Sequence, residues 1–243
     1  MIALKQQDIV HRTQMQKLLI EIADNPILSQ KIFFKGGTCA SMLGYLDRFS
    51  VDLDFDPYTK LNPTDFLDIG NELRSIFDSL GFTIDHENIK SLFFTLKYNA
   101  KVNERCTLMI SVFDEVIKNN DYKKVKIQEI DRFLNCQTIE SMFANKIVSV
   151  MDRYNRHKRI AGRDIYDVNY FFQEGYKFKE EIIKERTGLE VGDYIKKLIE
   201  FVESNVTEDI INKDLNTLLP FEKFNKIRKS LKQDTLLYLR NLI

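Results

Sequence analysis

One short stretch combines the residue types and spacing that phosphate chemistry needs. Residues 35–55 read KGGTCASMLGYLDRFSVDLDF. The stretch holds a glycine pair followed by a hydroxyl, and later two carboxylates that are two positions apart: Gly36, Gly37, Thr38, Asp52 and Asp54. A glycine turn exposes backbone N–H groups, and the start of the following predicted helix adds its positive dipole end. Together they favour an anion such as phosphate, to which the Thr38 hydroxyl can add a hydrogen bond.

The two carboxylates call for a cation. Asp52 and Asp54 alternate with the apolar residues Val51, Leu53 and Phe55, which predicts a β-strand with both acids on one side. Two carboxylates that close repel each other, and one takes up a proton unless a cation lies between them. An oxygen-preferring divalent ion, Mg²⁺ or Mn²⁺, is the natural partner. We call the predicted phosphate-binding turn at Gly36, Gly37 and Thr38 the phosphate seat. A phosphate site beside a metal-binding pair of acids is what phosphoryl or nucleotidyl transfer requires.

Simpler interpretations exist for each half of the pattern. A glycine pair alone is usually a turn, and an isolated Asp-x-Asp is usually the solvated face of an edge strand. The combination of strand, glycine turn, helical spacer and acidic strand favours a site. No GxxxxGK[ST] sequence is present, so the stretch is not a P-loop.

A second polar group follows in residues 144–167, ANKIVSVMDRYNRHKRIAGRDIYD. Lys146 and Arg153 are seven positions apart and therefore share one face of a predicted helix. The part from 153 to 163 contains no acid and makes a locally positive surface on a chain of zero formal net charge. Its cations are Arg153, Arg156, Lys158, Arg159 and Arg163.

Two more acids come directly after this basic run. Asp164 and Asp167, at i and i+3, lie on one face of the next predicted helix. Two structural alternatives stay open: Lys146 as an ordinary solvated lysine, and Arg163 with both acids as a salt-bridge network between helices.

The elements that must position these residues change in type along the chain. Apolar spacing predicts helices over 6–24 and from Asn62 to Leu80, and Thr38 as the N-cap of the helix after the glycines. Strands are predicted at 31–34, 51–55, 82–86, 91–98, 105–113 and 124–130, and helices from Thr138 onward. This pattern predicts an α+β fold with an α/β domain at 1–135 and a helical domain at 136–243 that completes the cleft.

Composition limits the class of protein. The 243 residues are 44% apolar and 30% charged, as in an ordinary globular protein. Cys39, Cys106 and Cys136 form no CxxC pair, so neither a disulfide framework nor a structural zinc site is indicated. No run approaches 18 apolar residues and the N-terminus lacks an apolar signal region, so we expect a cytoplasmic protein without a membrane span.

The first stretch resembles the polymerase-β-like nucleotidyltransferases, which carry Gly-Gly-Ser/Thr, a similar spacer and acidic-x-acidic. In more detail, FKGGTCAS and RFSVDLDF are similar to the AbiEii-type toxins of that superfamily, in which RxSxDLDF is characteristic. The resemblance implies the superfamily's mixed sheet with flanking helices. It also implies that Gly36, Gly37 and Thr38 hold phosphates, and that Asp52 and Asp54 bind metal and catalyse.

The second group also resembles the AbiEii-type pattern, a helical lysine, a basic stretch and then RDxYD. The two motifs together extend the resemblance over residues 31–172. It implies that Lys146 and Arg163 bind the nucleotide. It implies that Asp164, or else Asp167, orients the nucleotide or the attacking group. Many relatives in the superfamily carry a third acid on a later strand, but residues 105–113 contain none. That role falls to Asp114, Asp164 or Asp167, or is missing.

The resemblance implies a Mg²⁺-dependent transfer of NMP from an NTP to an acceptor. It implies a toxin of a toxin–antitoxin or abortive-infection system, with an antitoxin encoded nearby and RNA, such as a tRNA end, as acceptor. We expect the RNA to dock on the basic run at Arg153, Arg156, Lys158 and Arg159. Two alternatives keep the fold: a nucleotide- or partner-binding module with weak or no turnover, and a transferase that modifies an antibiotic.

Overall fold

The computed structural model describes residues 6–101 and 104–243, which form a mixed sheet and a set of helices. The strands are β1 (Ile32–Lys35), β2 (Asp52–Pro57), β3 (Thr83–Asn88), β4 (Phe93–Lys97), β5 (Thr107–Val112), β6 (Tyr122–Ile127) and β7 (Arg132–Gln137). They form one seven-stranded sheet in the order β3-β4-β5-β2-β1-β7-β6. The acidic strand β2 is therefore central, antiparallel to β1 and parallel to β5.

Four helices accompany the sheet, and seven follow it within the described residues. The first four are α1 (Gln6–Asp24), α2 (Leu28–Lys31), α3 (Gly36–Met42) and α4 (Pro63–Ser79). The others are α5 (Ile139–His157), α6 (Gly162–Gln173), α7 (Glu180–Thr187), α8 (Val191–Asn205), α9 (Glu208–Leu215), α10 (Phe221–Ile227) and α11 (Leu231–Arg240). This is the α+β fold that the sequence predicts. None of the helices in this part of the chain has the length and apolar character to cross a membrane.

The alternation predicted for β2 is present. Leu53 and Phe55 are fully buried in the core, while Asp52 and Asp54 project from the opposite side of the sheet. Across the ladder Asp54 lies opposite Lys35 on β1 and Ser111 on β5, which face the same side. The central position of the strand rules out a solvated edge strand as the reason for the acids.

One local prediction was wrong, and one strand was not predicted. Thr38 is not an N-cap, because α3 already begins at Gly36 and Thr38 is its third residue. The same helix ends at Met42, before Gly44, which has a positive φ of 77°. Strand β7 was not predicted, since its sequence RFLNCQ mixes polar and apolar residues on both sides.

The two halves share one hydrophobic core. Strand β7 ends at Gln137, and Thr138 caps the next helix by accepting the Ser141 N–H, so the change from sheet to helices falls near the predicted boundary. Buried residues from the sheet and from α5 to α11 belong to a single core cluster. The division into domains at 135/136 stays a prediction.

Helices α6 and α9 approach so closely that only glycine fits at their contact. A Cβ on Gly162 would lie 2.7 Å from Ile211 Cα and 2.8 Å from the Ile210 carbonyl oxygen. Both are backbone atoms, which cannot move aside as a side chain can.

We expect Gly162→Ala to lower the free energy of unfolding by about 1–3 kcal/mol, the usual cost of overpacking. Urea denaturation measures it. Gly192→Ala in α8 is the matched control, because a Cβ there meets nothing within 4 Å. The control should be neutral or stabilising, and an equal loss in both variants would contradict the proposed packing.

Candidate active site

The glycine turn and the acidic strand touch. Gly36 has a φ of +78°, and a Cβ built on it would lie 2.8 Å from Asp54 Oδ2. Any larger residue at this position would be strained and would displace the carboxylate. The structure therefore brings the predicted phosphate seat against one of the two predicted metal-binding acids, Asp54, whereas Asp52 does not line the cavity that holds Gly36 and Asp54.

The charge of Asp54 affects the pKa of Asp52. Burial and the neighbouring Asp54 raise the pKa of Asp52 to about 6, although Arg163, Arg105 and Arg48 act in the opposite direction. Asp54 accepts a hydrogen bond from the Ser111 hydroxyl at 2.7 Å through Oδ1. The pair has the mutual repulsion that a bound cation would relieve.

The donors present suit Mg²⁺ only if the substrate adds ligands. In residues 6–101 and 104–243 there is no group of three or more His, Cys, Asp or Glu side chains that could hold a metal. Magnesium, however, commonly binds through one or two carboxylates together with substrate phosphates and water. Asp52 and Asp54 fit that arrangement.

On β5, the strand where a third acid was expected, a serine faces Asp54. Ser111 occupies the β5 position directly opposite Asp54, on the same side of the sheet. Asp114 is exposed beyond the end of β5 and does not line the cavity that holds Asp54. Among the candidates left open by the sequence, Asp114 is thus the least suitable.

A buried ion-pair network joins the two halves beside this site. Arg48 donates two hydrogen bonds to Asp167, at 2.6 Å from Nε and 2.7 Å from Nη2. Lys146 Nζ lies 2.9 Å from Asp167 and 2.8 Å from Asp164. Arg153 completes the network at 3.0 Å from Asp164. Both acids are fully buried, so this is the salt-bridge alternative, with Arg48, Lys146 and Arg153 as the cations in place of Arg163.

The network affects what Asp164 can do. Burial alone would raise its pKa, but Lys146 and Arg153 hold the pKa of Asp164 well below its usual range. A carboxylate so stabilised is a poor proton acceptor at neutral pH. Asp164 thus holds Lys146 and Arg153 in place, and Asp167 holds Arg48 and Lys146. That either acid orients the nucleotide or the attacking group stays a prediction.

A cavity of about 290 Å³ lies between the sheet and α5. Of the predicted site residues, it is lined by Gly36, Gly37, Asp54, Lys146, Arg153, Arg156 and Asp167. Thr38 is outside it, because its hydroxyl donates to the Asp52 carbonyl oxygen at 2.5 Å. Thr38 thus fastens α3 to β2, and its predicted hydroxyl contact with phosphate does not fit this geometry.

The basic run is only partly free to meet a polyanion. Arg153 pairs with Asp164, and Arg156 pairs with Asp152 at 3.0 Å. Lys158 and Arg159 are exposed at the end of α5. The basic run itself contains no acid, but Asp152 and Asp164, which flank it in the sequence, form ion pairs with two of its arginines in the folded protein.

Several cavity residues were missed. Lys35 ion-pairs with Asp56 at 2.5 Å, and Asp56 also accepts a hydrogen bond from the Tyr122 hydroxyl at 2.8 Å. Asp56 continues the alternation of β2, a signal that was available. Asn145 and Arg186 contact each other at 2.9 Å across α5 and α7, and no sequence pattern connects them.

Comparison with known proteins gives a consistent result. A family model described as nucleotidyl transferase AbiEii toxin, type IV toxin–antitoxin system, matches residues 17–234. The fold is similar to JHP933 from Helicobacter pylori, with 22% identity, a TM-score of 0.58, and coverage of 98% of this chain and 92% of that one. It is also similar to a putative nucleotidyltransferase from H. pylori, with 22% identity, a TM-score of 0.56 and 99% coverage of each chain.

A third similar structure is MenT4, nucleotidyltransferase toxin Rv2826c from Mycobacterium tuberculosis H37Rv. It shares 15% identity at a TM-score of 0.56, with coverage of 98% of this chain and 85% of that chain. A search of curated proteins finds no match.

The low pKa of Asp164 makes stability depend on pH. The folded state binds this proton less readily than the unfolded state, so the contribution is complete above about pH 4 and is lost as the pH falls through the folded pKa. We expect Asp164→Asn to lower the free energy of unfolding by about 3 kcal/mol at pH 7. The difference from the unmodified protein should shrink at pH 3.

Urea denaturation at the two pH values measures this difference. Asp209→Asn, at an exposed position, is the control and should change little at either pH. A gap between Asp164→Asn and the unmodified protein that is equal at pH 3 and pH 7 would contradict the ionised, paired state of Asp164.

Proposed function

Because the chain belongs to the AbiEii family of nucleotidyltransferase toxins, we propose that it transfers an NMP from a Mg²⁺-bound NTP to an acceptor hydroxyl. The observation that carries the proposal is the close approach of Gly36 to Asp54, because it supports a backbone phosphate site beside a carboxylate that could bind a metal ion. In this reaction the acceptor oxygen forms a bond to the α-phosphorus. The bond from that phosphorus to the bridging oxygen breaks, pyrophosphate leaves, and the hydroxyl proton passes to solvent.

The phosphate seat is supported by cations from both halves. Lys35 precedes the glycines and lines the cavity, with Asp56 holding its ammonium group. Lys146 and Arg153 reach the same cavity from α5, fixed by Asp164. Fixed cations near transferring phosphates stabilise the charge that develops during transfer.

Asp52 and Asp54 would hold the metal ion. When bound there, Mg²⁺ supplies Lewis-acid stabilisation of the phosphate oxygens. Ser111 keeps Asp54 in position through its 2.7 Å hydrogen bond. Thr38 does the same for the backbone at Asp52.

We propose RNA as the acceptor, with a tRNA-like end as one form of it. The exposed Lys158 and Arg159 at the end of α5 support a polyanionic acceptor, because phosphate contacts by lysine and arginine provide affinity independent of sequence. Arg153 and Arg156 contribute less to this surface, since acids already pair with them. As a family member, the chain is expected to act as a toxin with a partner antitoxin.

One observation favours a second candidate. Ser111 stands where a third carboxylate would face Asp54, so a form with weak or no turnover that only binds nucleotide is consistent with this site. Binding of NTP without transfer to any component of a cell extract would support it.

We expect Asp52→Asn and Asp54→Asn each to reduce transfer of label from α-labelled NTPs to total RNA by about 1,000-fold or more. The reason is that several kcal/mol of metal-dependent stabilisation is lost, and each 1.4 kcal/mol is tenfold in rate. Asp114→Asn is the control and should retain activity. Undiminished labelling in the first two variants would refute the site.

Gly36→Ala tests the phosphate seat separately. Its Cβ would fall 2.8 Å from Asp54 Oδ2, so we expect loss of transfer as well as backbone strain. Gly44→Ala is the matched control, since Gly44 has nearly the same φ, +77°, with nothing within 4 Å. Both variants bear a strain of roughly 1 kcal/mol, and equal activity in the two would contradict the role of Gly36.

A further inference from the structure

One wall of the cavity carries a chain of polar side chains, of which the proposed transfer uses only Asp56, through its ion pair with Lys35. Asn120 Nδ2 approaches Asp56 Oδ2 at 3.3 Å, and Asn145 Nδ2 donates to Asn120 Oδ1 at 2.7 Å. Arg186 then donates to Asn145 Oδ1 at 2.9 Å and to Asp152 Oδ2 at 3.1 Å. All five residues line the cavity. We call Asn120, Asn145 and Arg186 the amide wall.

The amide wall has hydrogen-bonding capacity left over. Each asparagine Oδ1 accepts one hydrogen bond from another wall residue, and a carbonyl oxygen can accept two. Arg186 has five N–H donors, of which three are directed to Asn145 and Asp152 within the described residues. The wall therefore offers both acceptors and donors to a ligand in the cavity.

This mixture of donors and acceptors suits a nucleobase better than a phosphate. Phosphate oxygens only accept hydrogen bonds and would leave the asparagine oxygens of the wall without a donor, and the carboxylates of Asp56 and Asp152 at the two ends already pair with Lys35, Arg156 and Arg186. A nucleobase edge is neutral and carries donors as well as acceptors. Phe113, Ile117 and Met142 line the same cavity and supply apolar surface for the faces of a ring.

We propose that the amide wall reads the base of the bound NTP and so determines which NTP the protein prefers. The inference rests on the proposed function for the position of the triphosphate, which lies at Gly36 and the cations near it. A polar group that the bound base shields from water discriminates strongly, because a base that leaves it unpaired loses the hydrogen bond and retains the desolvation cost.

A purely structural role for the wall must be distinguished from base reading. Residues 113–121 form the connection between β5 and β6, and Asn120 fastens it to α5. The neighbouring Asn119 fastens the same connection to α7 by donating to Glu185 at 2.8 Å. Asn119 does not line the cavity, which makes Asn119→Ala a matched control.

The experiment measures binding of ATP, GTP, CTP, UTP and inorganic triphosphate, each with Mg²⁺, by calorimetry on the full chain. The unmodified protein should bind one NTP about tenfold or more tighter than the least favoured one. Asn145→Ala should bring the four NTPs to within about threefold of each other, with affinity for inorganic triphosphate unchanged. Asn119→Ala should keep the preference of the unmodified protein.

Arg186→Lys provides a second variant, because lysine preserves the charge beside Asp152 and removes the planar fork. It should also reduce the preference among NTPs, even if Asn145→Ala does not fold. Equal binding of all four NTPs by the unmodified protein, or an unchanged preference in Asn145→Ala and Arg186→Lys, would overturn the inference. A uniform weakening that includes inorganic triphosphate would overturn it too, since the wall would then bind phosphate.

The outcome is separable from that of the proposed transfer. Selective NTP binding without transfer to RNA would refute the proposed reaction and leave base reading by the amide wall intact. Transfer to RNA together with an unchanged NTP preference in the amide-wall variants would support the proposed reaction and refute base reading by the amide wall.

Discussion

The site depends on one buried interaction, the bidentate ion pair of Arg48 with Asp167. Arg48 lies between the glycine turn and the acidic strand, and Asp167 lies on α6, so the pair connects the two halves at the cavity. A Cβ on Gly37 would lie 2.9 Å from Arg48 Nη2, so a larger residue at position 37 would disturb the ion pair. Because charges buried in this way are costly unless each is paired, loss of one partner destabilises by about 3–5 kcal/mol. Docking of the halves therefore buries these two charges only when both partners are present to pair with each other.

The same ion pair places the cations. Asp167 also holds Lys146, and Lys146 shares Asp164 with Arg153, so two cations from α5 are fixed near the cavity before any ligand arrives. Prepositioned charges stabilise a reacting phosphate without reorganisation. This explains why both acids of RDIYD are buried, since each of them is paired with buried or half-buried cations.

The sequence predicts those features that arise from local periodicity. The alternation around Asp52 and Asp54, the glycine turn and the helix starting after Thr138 are local patterns, and the structure contains all three. Contacts between distant residues could not be predicted in this way. Arg48 and Asp167 are 119 positions apart, and many acids could have paired with the arginine.

Other errors have specific physical causes. Strand β7 has buried Leu134 and Cys136 but also exposed Phe133, which obscured its alternation. The Thr38 hydroxyl resembled a cap by type, yet a carbonyl on the neighbouring strand gives it a partner. The amide wall joins a connection, α5 and α7, and it exists only once the helices have packed. Side chains that read a ligand through tertiary contacts leave no spacing pattern in the sequence.

The most direct test of the account is to locate the divalent ion. Crystals grown with a non-hydrolysable NTP and Mn²⁺ would show the ion by anomalous scattering. The account predicts a peak between the carboxylates of Asp52 and Asp54, with the triphosphate against Gly36. An ion bound elsewhere in the cavity, such as at Asp56 and Asp152, or a bound NTP with no ion near Asp54, would contradict it.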